Sequence, residues 1–493
     1  MGREHRLPPS ASSLSASMRD LGYSLETAIA DLVDNSISAE ATSVDIFCDL
    51  TQQNPTLGII DNGHGMDEAG VIDAMRHGSK NPSETRSPND LGRFGLGLKT
   101  ASFSQCERLT VISNDGGGFH AAEWNLGTLQ KKDDWLIEIL ETEEIAELPF
   151  RELITGNGTA VIWRNLDRLF EDETGARRDE IVNEKLDVVE KHLSLVFHRF
   201  LSGEVRGRKR VLISLNGHPI EPFDPFCRKN SATQMLPKEV VRVGGVGVEM
   251  QPYILPHHSK LTAKEYDFYQ SRSDFISNQG AYVYRGGRLM AWGDWFRLIP
   301  KGEATKLARV QIDFPNSLDG LWTIDIKKSR ARPPAPVRAR LRQIIERVST
   351  RSTTVYRGRG KKLFDEIKAP VWERYADHGT IRYELNKEHP LIEALRSGLT
   401  EENERRLTML IEAISSSLPV EMIYSDFSTH PRDIHQNETS KEEINKRLSA
   451  LKDCLFGDGE VDVESFREVM RSTRFFVGLE DSVEQFIAKE LKG

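Results

Sequence analysis

Leu25-Glu26-Thr27-Ala28-Ile29-Ala30-Asp31-Leu32-Val33-Asp34-Asn35-Ser36-Ile37-Ser38-Ala39 decides how the rest of this chain is read. The stretch has helical periodicity. Leu25, Ile29, Leu32 and Ser36 fall on one face, and Ala28, Asp31, Asn35 and Ser38 on a neighbouring one. Ser24 is the predicted N-cap. Asp31 and Asn35 are four residues apart, so their side chains stack one above the other. A carboxylate so placed can hold a water while the amide binds a metal ion. Taken alone, the stretch equally describes an amphipathic helix with a wet face, and only its surroundings decide between the two.

Two strands are predicted next, Val44–Cys48 and Leu57–Ile60. The second runs into Asp61-Asn62-Gly63-His64-Gly65-Met66. Gly63 and Gly65 let the backbone approach a ligand closely. Asp61 follows an apolar strand directly, so its carboxylate is expected to be semi-buried and in need of a partner. An exocyclic amine such as that of adenine would serve. In isolation the same residues fit a turn with a capping aspartate. A short helix is expected over 67–76, then a loop over 77–91, whose length marks it as a functional segment, a lid, or a disordered one. It ends in Gly92-Arg93-Phe94-Gly95-Leu96-Gly97-Leu98-Lys99, with a helix starting near Gly97. Bare amide groups, a helix start and the Lys99 charge make an anion cradle. The spacing is neither a P-loop nor a dinucleotide-binding turn. Strands are predicted at Arg108–Ser113, Ala121–Trp124 and Ala160–Trp163. Thr159 stands at the head of the last, where its hydroxyl can sit beside a base, though a β-branched residue there needs no special reason.

Taken in order, these four pieces resemble the Bergerat-fold ATPases of the GHKL superfamily, which includes gyrase B subunits, heat-shock-90 chaperones, histidine kinases and MutL. The wording of Leu32–Ser36 and Gly92–Lys99 is most similar to MORC ATPases and their bacterial MutL-like relatives. So is that of Gln279–Leu289 and Trp322–Ser329. The resemblance covers about residues 10–345. It implies an α+β fold: a Bergerat α/β sandwich ATPase domain over 1–205, a ribosomal-protein-like transducer domain over 206–345, and a mostly helical region of unknown role over 346–493.

The resemblance also implies ATP and Mg2+ as ligands. Asp61 would bind the adenine amine, with Thr159 supporting through a water. Asn35 would coordinate magnesium. Gly92, Gly95, Leu96, Gly97, Leu98 and Lys99 would meet the phosphates, and Gly63, Gly65 and Met66 complete the nucleotide-binding set. Asp31 stands where the family has a glutamate general base, and is shorter by one methylene. A base must reach its water within about 3 Å, so slow hydrolysis is expected. Ser38 stands where relatives often have aspartate. From the transducer, Lys327 or Lys328 would reach the γ-phosphate and sense ATP over ADP; a solvated lysine pair at a strand end reads equally well there.

The chain has 493 residues, a net charge of −9, and 38% hydrophobic and 29% charged residues. That length suggests roughly two to four domains. Its four cysteines are far apart in sequence, which excludes a CxxC zinc site and gives no disulfide framework. With no apolar run after Arg3, His5 and Arg6 and none of about 20 residues elsewhere, neither a secretory signal nor a membrane span is expected. A cytoplasmic location fits. Residues 327–362 hold thirteen lysines and arginines against Glu346 alone, and Arg206-Gly207-Arg208-Lys209-Arg210 forms a second cluster. Such clusters suit a phosphate backbone as well as they suit a solvated face. Strands are expected at Val211–Leu215, Ala281–Tyr284 and Val310–Phe314. The tail reads as helices, with Leu407, Leu410, Ile411 and Ile414 as a core-packing stripe or, second, a partner-helix face.

The resulting expectation is an ATP-dependent switch that homodimerises on ATP and clamps double-stranded DNA through the basic segments. Relatives of this type are associated with restriction and phage-defence systems, and a nuclease or helicase partner would fit. The competing readings are a heat-shock-90-like chaperone and a non-hydrolysing scaffold. A histidine kinase fits poorly, since only about 24 residues precede the Asn35 helix.

Overall fold

The computed structural model describes residues 5, 7, 9–51, 54–78, 91–92, 97–170, 174–256, 260–262, 269, 278–302, 305–324, 331–348, 371–377, 380–396, 398–420, 422–423, 441–457, 461–473 and 484–488. The chain divides into two compact units, Met1–Thr353 and Thr354–Gly493.

Two sheets organise the first unit. The larger contains β1 (Ser43–Asp49), β2 (Thr56–Asp61), β3 (Arg108–Asn114), β4 (Phe119–Asn125), β5 (Glu138–Ile139), β6 (Gly158–Arg164), β7 (Leu212–Leu215) and β8 (His218–Pro219). Their order is β5-β4-β3-β6-β2-β1-β7-β8. Every pairing is antiparallel except β1 with β7. The strands alternate as a sheet covered on both faces must. Leu57, Ile59, Leu109, Val111 and Trp163 point into the main core, while Ile60, Ile112, Ala160 and Ile162 enter a smaller cluster with Ile145, Leu148 and Ile154.

Helices of this unit include α1 (Ala11–Arg19), α2 (Leu25–Ser38), α3 (Glu68–Met75), α4 (Gly97–Phe103), α5 (Leu126–Lys132), α6 (Thr142–Ala146), α7 (Gly175–Val196) and α8 (His198–Leu201), and residues 335–348 are helical as well. α2 lies against α4 and α7, and its Ala28, Ile29, Leu32 and Val33 are buried in the main core. Ser24 occupies the N-cap position of α2. Its side chain makes no capping bond and turns instead to Glu26 and Thr27.

The second sheet contains β9 (Gln234–Met235), β10 (Glu239–Val243), β11 (Val246–Ile254), β12 (Gly280–Arg285), β13 (Arg288–Asp294) and β14 (Ala308–Phe314), in the order β10-β11-β14-β12-β13 with β9 on β11. The strand expected at 211–215 does not belong to it. β7 pairs with β1 through Ser43↔Leu212 to Ile46↔Leu215, and so closes the first sheet. Sequence order placed it with the later strands, whereas the pairing partner is 169 residues upstream of it.

The second unit holds a hairpin, β17 (Trp372–Asp377) with β18 (Thr380–Leu385), β15 (Thr323–Ile324) and β16 (Ala331–Arg332) being a short pair of the first unit. The hairpin was not expected. Helices follow at Pro390–Arg396, Glu401–Ser416, Lys441–Phe456 and Val463–Thr473. Leu448, Leu451, Phe466, Val469, Met470, Phe486 and Ile487 form their core. The expected apolar stripe on Glu401–Ser416 is not core: only Ile411 is buried, whereas Leu410 is 57% and Ile414 43% exposed. The helix packs on β18, and a narrow contact of that kind covers one row of side chains rather than a full face. Among the described residues no helix is long and apolar enough to cross a membrane.

Trp163, at the centre of the first sheet, is fully buried, and its indole N–H donates to the Ser102 hydroxyl at 2.8 Å. Trp163→Phe removes that donor while keeping a ring. It is expected to cost about 2 kcal/mol, read as a lower urea midpoint with an unchanged slope.

Candidate functional site

Register brings the site together. Asp61, the last residue of β2, faces Thr159 on β6, and Thr159 faces Ser113 on β3. The three residues form one row across the sheet at the end where α2 passes. The Ser113 and Thr159 hydroxyls lie 2.7 Å apart, and Ser113 Oγ accepts the Met66 N–H at 2.9 Å. The Asp61 carboxylate is buried. Its Oδ2 accepts the Ser36 hydroxyl from α2 at 2.7 Å, and its Oδ1 accepts the Gly63 N–H at 2.9 Å. Burial pushes the Asp61 pKa up; the Ser36 and Gly63 bonds oppose that shift in part. A carboxylate is acceptor-only and has room for further donors, so this one suits a ligand amine.

The loop after β2 is tied down on three sides. Asn62 Oδ1 accepts the Thr42 and Ser43 N–H groups at 2.8 Å each, the His64 N–H donates to the Ala39 carbonyl at the end of α2, and Asn157 Nδ2 donates to the His64 carbonyl. Two glycines are obligatory here. Gly65 has φ +75°, and a Cβ on it would lie 1.9 Å from the Asn114 carbonyl oxygen. A Cβ on Gly158 would lie 2.2 Å from the Asp61 carbonyl oxygen.

α2 presents Asp31 and Asn35 to the same region. Asp31 is buried, and its Oδ2 accepts the Tyr23 hydroxyl at 3.0 Å. A Cβ added to Gly97, which opens α4, would stand 3.5 Å from that same oxygen. The expected base therefore sits at the start of the expected phosphate helix. Asn35, one turn on, is exposed. Its amide oxygen is the kind of hard donor magnesium takes. Among the described residues no group of three or more His, Cys, Asp or Glu is arranged to hold a metal. The magnesium that the resemblance implies would thus be held by Asn35 with the nucleotide's own phosphates. Ser38 bonds the Asp34 carbonyl and accepts the Leu91 N–H at 3.2 Å, so it fastens the residue before Gly92 to α2.

Lys99 takes an unexpected position. It is buried beneath α3, and its Nζ donates to the Ala74 carbonyl at 2.8 Å. Burial pushes its pKa down to about 8. Beside it His77 packs among Phe103, Trp124 and Trp135, and burial with the Lys99 charge pushes its pKa down to about 4. Leu98 and Met66 rest their side chains against the core. Gly95, Leu96, Lys327, Lys328, the loop over 79–90 and the basic run over 349–362 lie outside the described residues.

Sequence reasoning missed Tyr23, Ser36 and Ser113 as site residues. Tyr23 and Ser36 flank the α2 motif, but nothing in their spacing names their partners. Ser113 reaches the site only through strand register. The basic clusters are partly committed as well. Arg208 donates to the Ile37 carbonyl and Arg210 to the Leu201 carbonyl, both at 2.7 Å, while Arg340 and Arg347 both pair with Glu239. Arg206, Lys209 and Arg342 are exposed.

Comparison with known proteins agrees with this geometry. Residues 23–158 match a family profile described as histidine kinase-, DNA gyrase B-, and HSP90-like ATPase. A stretch of 78 residues is 38% identical to ATPase MORC2B of Mus musculus, spanning 15% of this chain and 8% of that protein.

The depressed Lys99 pKa has a measurable consequence. Between about 8 and the ordinary 10.5 the unfolded chain binds a proton that the folded chain lacks. Stability from this group therefore rises with pH across that window. Lys99→Met is expected to abolish the rise, read by chemical denaturation at a series of pH values without nucleotide.

Proposed function

We propose that this chain, which carries a GHKL-type ATPase domain similar to that of MORC proteins over residues 23–158, is an ATP-driven switch. It hydrolyses ATP slowly, dimerises on ATP and closes on double-stranded DNA. The observation that carries the reading is the convergence of Asp61, Thr159 and Ser113 in one cross-strand row, with Asp31 beside Gly97 at the other end of the site.

Asp61 takes the adenine amine, which supplies donors to a buried carboxylate already held by Ser36 and Gly63. Asn35 holds magnesium, which when bound neutralises charge on the phosphate oxygens. Asp31 accepts a proton from the attacking water. The Tyr23 hydroxyl fixes the orientation of its carboxylate. This fixing compensates in part for the missing methylene, because one rotamer is held rather than several. Lys99 leaves the Ala74 carbonyl for the phosphates and brings them its ammonium charge.

DNA is held through phosphates by Arg206, Lys209, Arg342 and the basic run beyond 348. The arginines already bonded to Ile37, Leu201 and Glu239 contribute scaffold instead. Contacts of this type give affinity with little base readout and a steep salt dependence. A restriction or phage-defence setting with a nuclease or helicase partner is the context this activity would serve.

Asp31→Asn is expected to lower ATP turnover by at least about 100-fold while ATP affinity changes less than about threefold. Unchanged turnover would remove Asp31 as the base and favour the non-hydrolysing scaffold. In light scattering the mass is expected to double with a non-hydrolysable ATP analogue and not with ADP, and the dimer is expected to retain duplex DNA at raised salt. A mass indifferent to nucleotide would leave the ATP site but sink the switch.

A further inference from the structure

Arg285-Gly286-Gly287-Arg288 forms the tight turn between β12 and β13, with φ +57° at Gly286 and +88° at Gly287. Positive φ at both central residues is the geometry of a two-residue hairpin that follows the natural strand twist. Arg285 and Arg288 are directly paired across the two strands. Two like charges so placed repel, unless each is matched from elsewhere. Both are matched. Arg285 makes two 2.7 Å bonds to the Asp319 carboxylate and a third, at 3.0 Å, to the Leu91 carbonyl. Arg288 Nε lies 3.1 and 3.2 Å from the two oxygens of Asp34.

The turn leaves Gly286 exposed and Gly287 half-buried, but packs closely on its inner side. A Cβ on Gly287 would meet Val205 at 2.8 Å, and one on Gly286 would meet Leu91 at 3.5 Å. The Arg288 and Asp34 side chains are 3% and 0% exposed. Asp34 immediately precedes Asn35 on α2, and Leu91 immediately precedes Gly92. The second sheet thus grips the two segments that border the phosphate end of the site. Among the described residues it makes no bond to Asp61 or Thr159 at the adenine end.

We propose that Arg288, through Asp34, is a positioning residue that sets the pitch of α2 and so the reach of Asn35 and Asp31, coupling the second sheet to magnesium binding and hydrolysis but not to adenine recognition. The proposal rests on the ATPase reading above. Replacing a buried ion pair by packed apolar side chains is often neutral or stabilising, so stability alone is a poor reason to keep this one. A buried pair does fix geometry: its two partners have one satisfactory arrangement, and any shift of β13 is transmitted to α2.

The test compares full-length wild type, Arg288→Gln, Arg288→Lys and the double variant Asp34→Asn/Arg288→Gln. Three quantities are read: turnover, the magnesium concentration for half-maximal binding of a non-hydrolysable ATP analogue, and ADP affinity in chelator without magnesium. Arg288→Gln is expected to lower turnover and raise the magnesium requirement by about two- to thirtyfold, the range for a residue that acts through a packed neighbour, with magnesium-free ADP affinity within about twofold. The double variant, an uncharged hydrogen-bonding pair, is expected to recover part of both losses. Arg288→Lys keeps the buried charge but not the guanidinium geometry; it is expected to show the same split more weakly, and it is the deciding variant if Arg288→Gln does not fold. The proposal is overturned if the folded variants lose thermal stability alone, or if ADP affinity falls in step with the magnesium effect. Wild-type protein that binds nucleotide without hydrolysing it, or binds none, sinks the ATPase reading instead, and is told apart because it appears before any substitution.

Discussion

A buried carboxylate at the end of an apolar strand must be matched, and much of this structure follows from how Asp61 is matched. Leaving an ionised group unpaired in a low-dielectric surrounding costs several kcal/mol, of order the whole stability margin of a domain. Ser36 and Gly63 supply two bonds. The first requires α2 to cross directly over the end of β2. The second requires the chain to turn back at once, which brings its backbone against the Asn114 and Ala39 carbonyls, where only Gly65 and Gly63 fit. Gly158 is needed for the same reason from the β6 side. The Asp61 end of the site is thus rigid because its polar groups and its close approaches leave one arrangement.

α2 has a different task on each side. Ala28, Ile29, Leu32 and Val33 anchor it in the core. Asp31 faces Gly97 at the start of α4, Ser36 faces Asp61, Asp34 faces Arg288 of the second sheet, and Asn35 is exposed. The rotation of about 100° per residue sends the polar side chains of residues 31–36 to different sides of the helix. A displacement of this helix therefore moves Asp31, Asp34, Asn35 and Ser36 together. The Lys99 ammonium is held against the Ala74 carbonyl, where burial pushes its pKa down to about 8.

The charge of the chain is distributed less simply than its counts imply. Arg208 caps the C-terminal end of α2 through the Ile37 carbonyl, where the helix dipole favours a cation. Arg340 and Arg347 share Glu239, whose carboxylate they hold below its ordinary pKa against the opposing effect of burial. Arginines so committed carry little field outward. Arg206, Lys209, Arg332 and Arg342 are among the basic side chains left exposed.

The sequence by itself determined the α2 helix, the β2 strand ending in Asp61, the start of α4 at Gly97, and the order of motifs behind the match of residues 23–158 to a histidine kinase-, DNA gyrase B-, and HSP90-like ATPase profile. These are local matters: helical spacing, strand alternation and glycine placement act between residues a few positions apart. Tertiary structure alone decided that β7 closes the first sheet, that Ser113 joins Asp61 and Thr159, that Tyr23 holds Asp31, that Lys99 turns inward, and that Arg288 grips Asp34. Each of these depends on strand register or on helix–sheet packing between distant segments, as far apart as the 254 residues from Asp34 to Arg288. Arginine on a strand reads as a solvated charge until the fold places a buried carboxylate opposite it. An apolar stripe such as that of Leu410 and Ile414 reads as core until the fold leaves it in water. Periodicity reports which face a residue is on; only the packed chain decides what that face meets.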